Sequence, residues 1–104
     1  MKKVRFNIQA EQDLSDIVIG LLHWEKIKLT EEQALQYVDD IYDSALEIAK
    51  TETHTPCRYK EHLEYGTYFV RYRRNSRTIW YIIYNVYDNF IYIEKIINNY
   101  MTID

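Results

Sequence analysis

Residues 78–86 read TIWYIIYNV, and this nearly unbroken apolar run constrains the fold more than any other segment. Its isoleucines, tyrosines and valine suit a pleated surface. Apolar side chains at successive positions require cover on both faces of a sheet, so the run predicts a central strand. A central strand needs neighbours, and the chain supplies two. TYFVRYRR (67–74) precedes it through a turn centred on NS (75–76), and FIYIEKIINNY (90–100) follows through DN (88–89). Together they predict an antiparallel three-stranded meander.

The first half has a different rhythm. Gly20 and Gly66 are the only glycines and Pro56 the only proline, so the elements should be long. In KKVRFNI, Val4, Phe6 and Ile8 alternate with Lys3, Arg5 and Asn7, the pattern of a strand buried on one side. From Ala10 the period changes to that of a helix running to about Ile27. Leu14, Ile17, Val18, Leu21 and Leu22 form its apolar stripe, with Glu11, Asp13 and Asp16 off it. Gly20 weakens that helix by about 1 kcal/mol relative to alanine, unless a neighbour needs to approach closely there.

TEEQ (30–33) is a capping box, with Thr30 as N-cap and Gln33 at the third helical position, and it opens a second helix. Ala34, Val38, Ile41, Ala45 and Ile48 form its buried stripe, flanked by Tyr37 and Tyr42. The short joint between the helices implies an antiparallel hairpin. Residues 51–66 show no period and read as a connecting loop, with a short helical turn near Lys60–Glu64. The expected fold is therefore α+β and two-layered. An N-terminal strand and an antiparallel helical hairpin pack on an antiparallel sheet that the C-terminal meander completes, in a single domain over 1–104.

Composition narrows the function classes. At 104 residues, 47% hydrophobic and 28% charged, the chain fits one globular core. The lone Cys57 rules out an intramolecular disulfide, fits a reducing compartment and reads as a small apolar filler. The N-terminus lacks the apolar run of a signal peptide, and no segment approaches the about 20 apolar residues of a membrane span, so a cytoplasmic location is expected. His23, His54 and His62 have no metal-ligand spacing, and His23 beside Trp24 reads as structural or partner-facing. There is no glycine-rich phosphate loop and no nucleophile motif, so no cofactor or metal is expected. The net charge of −3 hides an asymmetry: residues 1–52 carry 6 basic against 11 acidic side chains, and residues 53–104 carry 7 against 5.

Much of that basic excess lies in one place. Arg71, Arg73, Arg74 and Arg77 fall within seven residues. Strand alternation puts Phe69, Arg71 and Arg73 on one face and Tyr68, Val70 and Tyr72 on the other, with the two arginines about 7 Å apart. Guanidinium forks there suit carboxylates or phosphates. Most of the eleven tyrosines lie in strands or beside the core stripe, where packing accounts for them.

The order of elements, the opening VRF…A…DL (Val4–Phe6, Ala10, Asp13–Leu14) and the closing R…YIIYNVYDNFIYIEKI together resemble the RelE/ParE superfamily of bacterial toxins, over essentially the whole chain. The resemblance implies a toxin held inactive by a cognate antitoxin. RelE-like members cut mRNA on the ribosome, and ParE-like members poison DNA gyrase. Tyr81 stands where the family's yRilY pattern has arginine, and Asn98 and Asn99 stand where ribonuclease members end their last strand in histidine or a basic residue. Arg71, and more loosely Arg73, match basic positions of the ribonucleases, and Tyr100 a C-terminal functional tyrosine. A nuclease would thus use Arg71, Arg73 and Tyr100, with His62 or Glu64 as base. A partner surface would comprise Arg71, Arg73, Arg74, Arg77, Tyr81 and Asn98. A ribosome-directed nuclease needs a strongly basic surface, whereas this chain pairs a modest basic sheet with an acidic hairpin. The leading expectation is a ParE-like or catalytically reduced toxin that docks an acidic antitoxin segment. A ribosome-dependent endoribonuclease and a non-toxic interaction domain on the same fold are the alternatives.

Overall fold

A computed structural model describes residues 2–23 and 29–99. Nine elements follow in order: β1 (Lys3–Phe6), α1 (Ile8–His23), α2 (Glu31–Leu46), a 3-10 turn (Glu47–Lys50), β2 (Thr55–Pro56), α3 (Lys60–Leu63), β3 (Tyr68–Arg73), β4 (Ile79–Val86) and β5 (Phe90–Asn98). The strands form one sheet in the order β1-β5-β4-β3-β2. The meander β3-β4-β5 is antiparallel, and β4 lies at the centre of the sheet, with Trp80 to Tyr84 all buried. The architecture is the expected α+β arrangement, with α1 and α2 packed on one face of the sheet. One feature of the pairing differs. β1 runs parallel to β5, so the sheet is mixed rather than wholly antiparallel. The helical hairpin is the crossover that returns the chain to the same sheet, and such a crossover permits parallel pairing.

Local chemistry sets the element ends. The backbone N–H of Asn7 still donates to Ile93 in the sheet (3.0 Å), while its Oδ1 accepts from Ala10 N–H (2.7 Å), so this one residue ends β1 and caps α1. Thr30 and Gln33 form both hydrogen bonds of the capping box, at 3.1 and 2.9 Å. Phe6 stacks on Tyr42 with ring centroids 5.0 Å apart, which brings the start of α1 beside the end of α2, as an antiparallel hairpin requires. The expected end of the first helix, near Ile27, lies outside the described residues, as do Trp24 and Tyr100. No helix among the described residues is long and apolar enough to cross a membrane.

The buried side of α1 departs from the expected stripe. Ala10, Asp13, Ile17 and Leu21 face inward, whereas Leu22 is 39% exposed. Asp13 belongs to the buried face because it is fully engaged. Its Oδ2 accepts from Ile96 N–H (3.0 Å), and its Oδ1 accepts from Lys95 Nζ (2.8 Å) and Gln9 Nε2 (3.0 Å). These bonds fall where β5 bulges: Ile83 pairs with Lys95 but Tyr84 with Ile93, which leaves Glu94 as the extra residue.

The loop over residues 51–66 contains an unforeseen edge strand, β2. His54 anchors the approach to it, with Nδ1 2.8 Å from the Tyr84 hydroxyl. Burial, reinforced by Tyr68 and then Cys57, pushes that phenol up to about 12. Gly66 permits the loop to close, since a Cβ there would sit 3.0 Å from Ile83 Cγ2 and 3.2 Å from the Tyr84 carbonyl oxygen.

Two contrasts test this packing by urea unfolding. Asp13→Ala strands a partly buried ammonium and a buried amide, and should cost about 3 kcal/mol, whereas Asp16→Ala, on the exposed face, should stay within about 0.5 kcal/mol of the parent. No atom approaches within 4 Å of a Cβ added at Gly20. Gly20→Ala should therefore stabilise by about 0.5–1 kcal/mol, while Gly66→Ala destabilises.

Candidate partner-binding face

The side of the sheet away from α1 and α2 is only partly covered. Cys57, Tyr81, Ile83 and Ile97 form a small second core there, joined by Phe69 and Ile79. The short α3 seals its middle with His62, which is fully buried. The imidazole lies 4.8 Å from the Tyr81 ring, 5.1 Å from Tyr59 and 6.4 Å from Phe69, centroid to centroid. Neither ring nitrogen has a hydrogen-bond partner among the described residues. Burial holds the His62 pKa below its ordinary 6.5, against a weaker upward pull from Glu61. His62 is thus enclosed by aromatic rings and is not presented to a substrate as a base. Glu64 caps the far end of α3, exposed to solvent. Burial likewise pushes the Cys57 thiol up, which suits a filler rather than a nucleophile.

Beyond this small core the face opens. Arg71 and Arg73 are both exposed and follow Phe69 on the side predicted by strand alternation, while Tyr68, Val70 and Tyr72 pack toward the helices. Tyr81 pairs directly with Arg71, so the two share a face. Its ring is buried at 8% exposure, and its hydroxyl makes no hydrogen bond among the described residues. A notch of about 280 Å³ opens here, lined by Thr55, Arg58, Tyr59, Phe69, Arg71 and Tyr81, with Val70 at its edge. Arg58 was not singled out by the sequence. It follows β2 by two residues, just past the Cys57 N–H bond to the Thr67 carbonyl that holds this end of the loop against β3.

The other candidates lie elsewhere. The Arg74 guanidinium turns to the helical layer, where Nη1 meets Asp40 Oδ2 at 2.6 Å and Tyr72 Oη at 3.2 Å, and its Cζ lies 4.3 Å over the Tyr37 ring. The Tyr72 hydroxyl and then Asp40 raise the Arg74 pKa, and Asp40 is lowered in turn by Gln36 and Arg74. Asn98 pairs with Trp80 and so shares the helical side of the sheet. Arg77 sits in the β3–β4 turn, where its N–H donates to Asn75 Oδ1 and its carbonyl accepts from Asn99 Nδ2. These three border a larger cleft of about 1130 Å³ between the helices and the ends of β4 and β5. Much of the charge in that cleft is already matched, Arg74 with Asp40 and Lys95 with Asp13. The structure therefore brings together Arg71, Arg73 and Tyr81 and separates Arg74, Arg77 and Asn98 from them. No group of three metal-ligating side chains converges among the described residues.

No family model, curated protein or solved structure matches this chain. The geometry therefore carries the functional argument. What it offers is a cationic notch on an open sheet face, lined by guanidinium and phenol groups.

The buried imidazole makes a measurable contribution to pH dependence. In the unfolded chain His62 takes up a proton near pH 6.5, while in the folded protein it resists until lower pH. The unfolded state then binds more protons, so stability is full above about 6.5 and declines as pH falls through the folded value. Urea midpoints at pH 7.5 and 5.5 should show a smaller drop for His62→Phe than for the parent.

Proposed function

We propose that this chain is the toxin of a toxin–antitoxin pair of the RelE/ParE kind, acting by binding an essential protein such as DNA gyrase and neutralised by an antitoxin. The observation that carries this reading is the pair Arg71 and Arg73. They are exposed side by side on an open sheet face, and neither meets a carboxylate within salt-bridge distance among the described residues. An acidic antitoxin segment complements that surface. A target binds once the segment leaves.

The notch also bears on the second reading, a ribosome-dependent endoribonuclease. Arg71 beside the Tyr81 hydroxyl can hold a phosphate by charge-assisted hydrogen bonds. Cleavage further requires a group that removes the 2′-hydroxyl proton. The notch lining contains no carboxylate and no imidazole. That favours binding over RNA cleavage.

Induction of the protein alone in a bacterial host, with growth recorded and transcript 5′ ends mapped, separates the readings. The proposal expects growth arrest with transcripts intact, and relief of arrest on co-expression of the antitoxin. Codon-spaced new ends would replace it with the nuclease. Normal growth with soluble protein present would replace it with a non-toxic interaction domain.

A further inference from the structure

The free edge of β3 provides more than two exposed cations. The direction of each main-chain group on that strand is fixed by two hydrogen bonds. Arg74 N–H donates to the Thr78 carbonyl (2.9 Å), so residues of even number direct their backbone groups toward β4. Cys57 N–H donates to the Thr67 carbonyl (2.8 Å), so residues of odd number direct theirs away from β4, toward β2. β2 reaches only as far as Phe69, which pairs with Thr55. Arg71 and Arg73 therefore turn two N–H donors and two carbonyl acceptors outward, with no strand opposite them among the described residues. The notch lies where β2 stops, between that bare edge and Arg58.

We infer that the Arg71–Arg73 edge of β3 receives an extended acidic segment of a partner protein, which adds as a sixth strand in line with β2 and places a carboxylate in the notch. Main-chain pairing supplies affinity and the side-chain positions supply selection, as in other strand additions. The residue opposite Arg71 shares its face, so an acidic side chain there lies between the Arg58 and Arg71 guanidinium groups with the Tyr81 hydroxyl in reach. The next position on that face falls opposite Arg73. The segment is thus acidic at alternate residues, and its remaining side chains turn toward the helical layer beside Val70 and Tyr72. Charge disfavours a second copy of this chain as the occupant. Edge-to-edge pairing of two β3 strands would bring arginines of both copies together. The inference deepens the antitoxin-docking part of the proposed function and rests on that reading for the existence of a partner, not for the geometry.

The test uses the full chain and blocked peptides of about eight residues, a common strand length. One alternates glutamate with valine, a second replaces glutamate by lysine, and a third keeps the glutamates but carries prolines that cannot pair. Calorimetric titration should detect the glutamate peptide and neither of the others. Amide exchange should slow at Arg71 and Arg73 when it binds. Arg71→Glu, checked for folding by unchanged protection in β4, should weaken binding by about tenfold or more, in line with the loss of a charge-assisted contact. Equal binding of the proline peptide, or unchanged exchange at Arg71 and Arg73, would overturn strand addition. Protection of Lys3–Phe6 instead would move the site to the other edge and overturn its location. Protection that rises with protein concentration and without peptide would make a second copy the occupant and overturn the partner. Binding by a chain that does not arrest growth would sink the toxin reading and leave this surface standing. Arrest relieved by an antitoxin, with no peptide bound, would sink this surface alone.

Discussion

The layering of this protein depends on one carboxylate. Asp13, projecting from α1, holds Ile96 N–H and Lys95 Nζ at the point where β5 bulges. Simple alternation from Ile91 and Ile93 would turn residue 95 toward the helices and residue 96 away from them. The bulge reverses the parity, so Ile91, Ile93 and Ile96 all enter the main core while Ile97 joins Tyr81 on the other face. Without it Ile96 would leave the main core. Ile96 N–H points to the β1 side of β5, past the end of β1 at Phe6, so it has no strand partner, and Asp13 takes both it and the Lys95 ammonium. Asp13 thus ties α1 to the strand whose bulge sends Ile96 into the main core and Ile97 to the other face.

How much of this was legible in the sequence depends on distance along the chain. The capping box spans four residues, and its two hydrogen bonds form as expected. Strand period correctly separated Arg71 and Arg73 from Tyr68, Val70 and Tyr72, because alternation is a property of the backbone itself. The helical period sets Asp13 off the apolar stripe, because nothing near it in sequence reveals a partner 82 residues away. Arg74 illustrates the same limit. Alternation carried one residue past β3 gives its side, beside Tyr72, but not its partners. Asp40 and Tyr37, more than thirty residues earlier, then decide where its side chain goes. The helical turn expected near Lys60–Glu64 forms as α3, but local pattern does not reveal that it turns His62 under the aromatic rings of β3 and β4. The parallel pairing of β1 and the two-residue β2 were equally beyond local pattern, since both are set by which edges the rest of the fold leaves open.

Charge is sorted between the layers. α1 and α2 together contain Glu11, Asp13, Asp16, Glu31, Glu32, Asp39, Asp40 and Asp43, and neither Lys nor Arg. Asp13 and Asp40 are neutralised by Lys95 and Arg74, which reach across from the sheet, and these pairs tie the layers together. The remaining helical carboxylates face solvent. A net charge of −3 thus describes neither surface, and an approaching partner meets a local field rather than the total.

The same sorting explains how the protein carries a bare strand edge. An edge with unpaired amides and carbonyls is a template for self-association, and proteins guard such edges with charge. Here the guard is Arg71 and Arg73 themselves, whose like charges repel a second copy, while Lys3 and Arg5 line the opposite edge on β1. Repulsion of one's own kind is also selection of another. A strand acidic at alternate positions meets no penalty at β3 and gains two cations, with Arg58 adding a third at the notch. Arginine serves this better than lysine, because a planar fork on a strand stays pre-organised and grips a carboxylate through two parallel bonds. The feature that keeps the isolated chain from pairing with itself is then the feature that specifies its partner. Exchanging both arginines for valine would leave the sheet intact and remove the repulsion and the selection together.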